Sequence, residues 1–300
     1  MKWPQAVTIK EVGPRDGLQN EKTFISTKDK VKWIDQLSRT GLSYIEVTSF
    51  VHPKWIPALA DSEQVAKNIS REKGVTYAAL VPNQKGLEKV IESNIDEVSV
   101  FLSVSETHNK KNINKSIHDT LPILKSVIDD AKCSGKSVRG YLSTVFGCPY
   151  EGDISYGDVM KLCDELFDMG VYELSLGDTI GVATPKQVDD LLTLLLKSFP
   201  AEQFAMHFHN TRGTALANVI ASLEAGVTIF DSSLGGLGGC PYAPGASGNV
   251  ATDDLLYMLH KMAIHTGVDL KELHKAAAFI QERIGRPLSS HSLLVQSNKK

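Results

Sequence analysis

Three stretches of this 300-residue chain carry side chains whose types and spacing could do chemistry. The first is Gly13-Pro14-Arg15-Asp16-Gly17-Leu18-Gln19-Asn20, directly after a β-branched run over residues 6–12. An Arg–Asp pair in such a turn reads as a local salt bridge or as a charged pair facing a site. The second is Met206-His207-Phe208-His209-Asn210. In a strand, side chains alternate, so His207 and His209 share one face while Phe208 points the other way. Two adjacent imidazoles read as hydrogen-bonded core histidines or as a pair sharing a metal ion, for which neutral imidazole is a common ligand. The third is the glycine-rich stretch 235–249, which holds Cys240 and ends at Asn249. It is neither G-x-G-x-x-G opening a helix nor G-x-x-x-x-G-K-[ST], so nucleotide readings fail. Its six glycines suit a lid carrying a thiol, against the plainer reading of a surface loop with an idle cysteine and an N-capping asparagine.

Asp16, His207, His209 and Asn249 together offer two imidazole nitrogens and two oxygens. With water or substrate completing the shell, that set suits six-coordinate Mg²⁺ or Mn²⁺, with zinc as the alternative. One carboxylate against a dication leaves a charge of about +1, and Arg15 adds to it, so such a site favours a developing anion such as an enolate.

These residues can meet only if the chain brings the ends of distant segments together. Short β-branched runs fall at residues 6–12, 44–48, 75–81, 98–104, 138–146, 172–176, 204–208 and 227–232. Stretches of helical period follow them at 28–38, 62–71, 85–92, 117–132, 156–169, 186–197, 214–224 and 252–264. Gly41, Gly135, Gly170 and Gly226 stand where an αL residue can end a helix, and Thr184-Pro185 forms an N-cap with proline at the first helical position. Strand–helix alternation implies parallel strands joined by crossover helices. Eight units without a linker predict one (β/α)₈ TIM barrel spanning residues 1–300, in preference to an open doubly wound sheet with a small second domain. A C-terminal helical region over about 267–300, with an extra helix near 269–285, packs on the barrel or on a partner subunit. The three chemical stretches then lie just after strand 1, at the end of strand 7 and after strand 8, at the face where barrel enzymes place their sites.

Composition narrows the function classes. With 32 Lys+Arg against 35 Asp+Glu and a net charge of -3, nothing favours nucleic acid or an anionic membrane. The apolar cluster at 191–196 is far shorter than the roughly 18 residues of a membrane span. No signal or transit pattern opens the chain, and four cysteines (Cys133, Cys148, Cys163, Cys240) without a C-x-x-C pair suit reduced thiols. The expected location is the cytoplasm.

Residues 12–21, Val138-Arg139-Gly140-Tyr141, Ser175-Leu176-Gly177-Asp178-Thr179-Ile180-Gly181 and Gly238-Gly239-Cys240-Pro241-Tyr242-Ala243 closely resemble the 3-hydroxy-3-methylglutaryl-CoA lyases. The resemblance runs from about residue 5 to about residue 285. It implies a divalent-metal-dependent carbon–carbon lyase that cleaves the acyl-CoA into acetoacetate and acetyl-CoA, in leucine degradation and ketone-body metabolism, and a homodimer. Asp16, His207, His209 and Asn249 match the metal ligands, and Arg15 matches the arginine that steadies the thioester enolate. Glu46 matches a supporting carboxylate, while Asp178 and Cys240 match residues of proton transfer. Ser49, Arg139 and Ser175 fall in stretches that support the site or touch substrate. Lys110, Lys111 and Asn112 stand as CoA contacts, against the alternative of solvated loop charges. Two departures bear on substrate preference: the run after the ligand pair is His209-Asn210-Thr211-Arg212-Gly213-Thr214, and His52 replaces a smaller residue. A metal-dependent aldolase or a Claisen-type synthase on the same barrel is the rival reading.

Overall fold

The structure, a computed structural model, describes residues 3–238 and 248–297. Eight strands form in chain order: β1 Thr8–Glu11, β2 Tyr44–Ser49, β3 Thr76–Leu80, β4 Glu97–Ser103, β5 Ser137–Ser143, β6 Glu173–Asp178, β7 Phe204–Phe208 and β8 Ile229–Ser232. All pair in parallel, each with the next, and β8 closes on β1 through Lys10 opposite Asp231. The helices are α1 Thr27–Ser38, α2 Ser62–Asn68, α3 Gln84–Glu92, α4 Glu106–Ile113, α5 Ile117–Cys133, α6 Tyr156–Asp168, α7 Pro185–Leu195, α8 Ala215–Glu224, α9 Thr252–Lys261, α10 Leu270–Ile284 and α11 His291–Ser297. The expected TIM barrel with C-terminal helices is the architecture observed.

Local chemistry explains the boundaries. Thr184 accepts from the Gln187 amide in a capping box with Pro185 at the first helical position, as the sequence predicts. The four expected glycines all have positive φ. Helix α4 is an addition to the sequence reading. Its residues ETHNKKNI carry no apolar period, but Ser105 caps its start and Asn114, at φ +56°, ends it. Lys110, Lys111 and Asn112 therefore lie on a helix rather than in a loop. Helix α10 buries Leu273, Ala276, Ala277, Ile280 and Ile284 against α1 and α9, so this tail packs on the barrel.

Strand alternation creates two different interiors. Val98, Val100, Leu102, Leu174 and Leu176 are buried in the apolar layer with the surrounding helices. The opposite phase, including Glu97, Arg139, Tyr141, Glu173 and Ser175, fills the barrel axis. Bulky branched residues usually dominate that axis; here it is charged and hydrogen-bonded. Lys10 Nζ donates to Glu173 Oε1 at 2.8 Å, and Arg139 Nε donates to the same oxygen at 2.5 Å. Buried charges are tolerated when paired and hydrogen-bonded in this way. The network is the floor on which the site stands. Among the described residues, no helix is long and apolar enough to cross a membrane.

Candidate active site

The β1 strand ends in a single π-helical turn, Gly13–Gly17, in which the amides of Arg15, Asp16 and Gly17 all approach the Val12 carbonyl. This tight turn directs Arg15 and Asp16 into the barrel mouth, where both are buried. Arg15 donates from Nε to Glu46 Oε2 and from Nη1 to Asp16 Oδ1, each at 2.5 Å. Its guanidinium lies 5.0 Å from the centre of the Tyr141 ring, and the Tyr141 hydroxyl donates to the same Glu46 oxygen at 3.0 Å. Among the described residues, Nη2 of Arg15 has no hydrogen-bond partner. The local salt bridge and the site-facing cation are therefore the same arrangement.

Strand β7 delivers His207 and His209 to the inner face together, with ring centres 5.4 Å apart. One ligand atom from each of Asp16, His207 and His209 can be chosen so that all lie within 4.8 Å of one another, and all three residues are buried. Nδ1 of His209 has no hydrogen-bond partner among the described residues. Burial pushes that imidazole down to about 4, with neighbouring His207 adding to the effect, so it is neutral at physiological pH. Burial alone would raise the Asp16 carboxyl, but Arg15, His207, His209 and the Asn249 amide hold it below its usual value. Asn249 joins the cluster by donating from Nδ2 to Asp16 Oδ2 at 2.7 Å and to the Leu237 carbonyl at 3.1 Å. Gly238, at φ +97°, makes that approach possible: a Cβ there would stand 2.6 Å from Nδ2 of Asn249.

The donor set fits a divalent cation on a second ground. The buried side chains around the barrel axis include Lys10, Arg15 and Arg139 against Asp16, Glu46, Glu97, Glu173 and Asp231. Three formal cations against five carboxylates leave an excess of two negative charges, which one dication would balance.

A cavity of about 640 Å³ rises from this cluster. Arg15, Asp16, Tyr141, Ser175, His207 and His209 line its inner end, Leu80, Phe101, Ile113 and Leu124 its apolar wall, and the exposed His52, Trp55, Asn112 and Lys115 its rim. A size of roughly 300–1,000 Å³ with few convergent polar groups is that of a small-molecule site.

The remaining expected site residues are distributed unevenly. Glu46 is fully buried beneath Arg15. Ser175 lines the cavity, and its hydroxyl donates to Asp231 Oδ2 at 2.6 Å. Arg139 is fully buried one inward position below Tyr141, donating to Glu173 and, at 2.6 Å, to Asp231 Oδ1, and it is not among the cavity-lining residues. Asp178 lies on the opposite phase from Ser175 and Gly177; its two oxygens accept from the Val182 and Ala183 amides at 2.9 Å each. Burial raises its carboxyl to about 6. Ser49 is buried, and its hydroxyl accepts from the Val51 amide at 3.3 Å. Lys110 pairs with Glu106 at 2.9 Å, and Lys111 lies 4.6 Å over the Tyr150 ring; of the three expected CoA contacts, Asn112 alone lines the cavity. Arg212 binds the Ile180 and Gly181 carbonyls, tying the loop after β7 to the loop after β6. Cys240 lies outside the described residues.

Sequence reasoning missed Tyr141 as a cavity residue, Lys115, and the buried acids Glu11 and Asp231. The signal for Tyr141 and Asp231 was present in the alternation: polar residues on the inner phase of an otherwise apolar strand. Glu11 gave no such signal, because it sits on the outer side of β1, accepting from the Gly13 and Leu234 amides and from Thr252.

The HMGL-like family model matches residues 6–280. A curated hydroxymethylglutaryl-CoA lyase of Bacillus subtilis is 62% identical over 98% of this chain and 99% of its own length. The crystal structure of a Bacillus subtilis HMG-CoA lyase superposes with a TM-score of 0.98 at 62% identity, covering 99% of this chain and 100% of that one. An HMG-CoA lyase from Acinetobacter baumannii, solved in complex with coenzyme A and 3-methylmalate, gives a TM-score of 0.93 at 39% identity, covering 100% of this chain and 97% of the other.

Proposed function

The chain belongs to the HMGL-like family, and on that premise we propose that it cleaves 3-hydroxy-3-methylglutaryl-CoA into acetoacetate and acetyl-CoA. The observation that carries this reading is the buried Asp16–His207–His209 cluster at the inner end of a deep cavity, beside an arginine whose Nη2 has no hydrogen-bond partner among the described residues. The aldolase and synthase alternatives are not favoured, since the lyase relatives match this chain over nearly its whole length.

Cleavage removes the proton of the tertiary hydroxyl, turns that C–O bond into a ketone, and breaks the adjacent C–C bond. The electron pair passes to the thioester enolate, whose carbon then takes up a proton to give acetyl-CoA. Asp16, His207 and His209, with Asn249 beside them, would hold Mg²⁺ or Mn²⁺, which supplies Lewis acidity that lowers the pKa of a substrate hydroxyl. Arg15 meets the developing enolate oxygen through Nη2, since Nε and Nη1 are held by Glu46 and Asp16. Glu46 and Tyr141 fix the plane of that guanidinium. Cys240 donates the final proton: an ordinary thiol titrates at roughly 8.5, near enough to neutrality to give up a proton to a carbanion. Asp178, whose carboxyl burial raises to about 6, is the second proton-transfer residue that the resemblance implies. Ser175 reaches the substrate from the cavity wall.

The pantetheine arm lies along the apolar wall between the loop after β2 and the α4–α5 corner. At its rim, Asn112 and Lys115 meet the polar end of the CoA. We propose further that it acts in leucine degradation in the cytoplasm, as a homodimer; four cysteines without a C-x-x-C pair suit a reducing compartment. The test is an acetoacetate assay on the CoA thioester with and without EDTA. Turnover abolished by chelation and restored by Mg²⁺ or Mn²⁺ is the expected result; turnover that persists in EDTA refutes the metal role, and cleavage of a free oxo-acid without the thioester would favour an aldolase.

A further inference from the structure

Asp231, at the end of β8, is a fully buried acid that none of the steps above uses. Its Oδ1 accepts from Nη2 of Arg139 at 2.6 Å. Its Oδ2 accepts from the Ser175 hydroxyl at 2.6 Å and lies 3.2 Å from Nδ1 of His207. The other nitrogen of that ring, Nε2, stands 4.0 Å from Oδ2 of Asp16. The imidazole is thus set between two carboxylates, one on each nitrogen.

We propose that Asp231 is a positioning residue for His207, holding the ring proton on Nδ1 and so presenting the Nε2 lone pair to the cation site formed with Asp16 and His209. This rests on reading those three residues as metal ligands. A neutral imidazole has one donor nitrogen and one acceptor nitrogen, and a carboxylate oxygen beside Nδ1 can only accept. Asp231 lies within hydrogen-bond distance of Nδ1 at 3.2 Å, whereas Asp16 stands beyond it at 4.0 Å from Nε2, so the proton stays on Nδ1. A ligating histidine is oriented in the same way when its far nitrogen donates to a carboxylate. Arg139 keeps the carboxylate from turning away, because a guanidinium has only donors to offer Oδ1. Its own Nε is held by Glu173 at 2.5 Å, which anchors the clamp in the barrel floor.

The alternative is that Asp231 serves only as a counterion for Arg139, and substitution by asparagine separates the two roles. In Asp231→Asn the single amide oxygen must face Arg139, so the NH₂ turns toward His207. Nδ1 must then accept, and the proton moves to Nε2, the atom that should bind the cation.

The experiment uses ¹⁵N-histidine-labelled full-length protein, free of metal, with the tautomer read from the ¹⁵N shifts of the neutral ring, above the pH at which those shifts stop moving. The His207 signals are identified by their loss in His207→Gln. The wild type should show the Nδ1–H tautomer. Asp231→Asn should show the Nε2–H tautomer and bind Mn²⁺ about 10- to 100-fold more weakly, measured by electron paramagnetic resonance of free Mn²⁺. Ser175→Ala, which removes the competing donor on Oδ2, should keep the Nδ1–H tautomer. An Nε2–H tautomer in the wild type overturns the proposal, and so does a folded Asp231→Asn protein with unchanged tautomer and Mn²⁺ affinity. If Asp231→Asn does not fold, the wild-type tautomer and Ser175→Ala decide. None of these readouts needs turnover, so a protein that passes them without cleaving the thioester overturns the lyase reading alone.

Discussion

Arg15 and Glu46 form a buried ion pair, Nε to Oε2 at 2.5 Å, that joins the turn after β1 to the interior face of β2. With Nη1 bound to Asp16 as well, the guanidinium is held on two sides before any substrate arrives. Preorganisation of this kind removes the reorganisation cost at the moment charge develops.

Arg15→Gln should therefore lower kcat by about 10²–10³, the usual effect of losing one oxyanion donor. Metal content should stay near wild type, because Asp16, His207, His209 and Asn249 are untouched. Steady-state kinetics and elemental analysis on one preparation check both halves, and normal turnover would sink the enolate role.

Glu11 predicts a pH effect on stability. Burial raises its carboxyl from 4.5 to about 7, against the lowering effect of Thr252, Leu234 and Gly13. Between those values the folded state binds more protons than the unfolded one, so this group's contribution to stability falls as pH rises through the window, by about 3 kcal/mol at most. Glutamine copies the protonated acid: its oxygen can keep the two backbone amides while its NH₂ donates to Thr252. Glu11→Gln should flatten the pH dependence of the melting temperature between pH 4.5 and about 7 relative to wild type. Parallel melting curves for the two proteins would contradict it.

Of the lysines near the cavity, Lys115 lines the rim, whereas Lys110 pairs with Glu106 and Lys111 lies over Tyr150. Lys115→Ala should raise KM for the CoA thioester about 2- to 5-fold with kcat unchanged, the scale of an exposed ion pair, and high salt should erase the difference. Lys110→Ala should leave KM at the wild-type value. The reverse ranking would move the nucleotide end of the CoA to the other side of α4.

Cys240→Ala should slow uptake of the final proton without unfolding the barrel. Solvent-deuterium incorporation into acetyl-CoA and single-turnover rates read that step directly; an unaltered rate would show the thiol to be idle.

Much of the fold was legible because its signals are local. Alternating β-branched runs and helical periods marked eight units, and caps such as Thr184-Pro185 marked where helices begin, since side-chain periodicity and capping act within a few residues. The spacing of His207 and His209 likewise determined that both imidazoles share one face, as the pleat requires. Helix α4 escaped because its stability comes from Ser105 and Asn114 rather than from an apolar stripe.

What only the tertiary structure decided is how residues far apart in the chain meet. Arg15 reaches Glu46 across 31 positions, Asn249 reaches Asp16 across 233, and Arg139 reaches Asp231 across 92. Barrel closure sets those meetings, through the pairing of β8 with β1 and the parallel register of every neighbouring strand. The sequence by itself determined which side chains face inward and what chemistry they could share. Closure decided that Asp231 rather than a more visible residue stands behind His207, that Lys115 rather than Lys110 reaches the cavity, and that Arg139 is buried in the barrel. The physical reason is that alternation along a strand is a property of its own backbone, whereas the partner of an inward side chain depends on the stagger of the whole closed sheet.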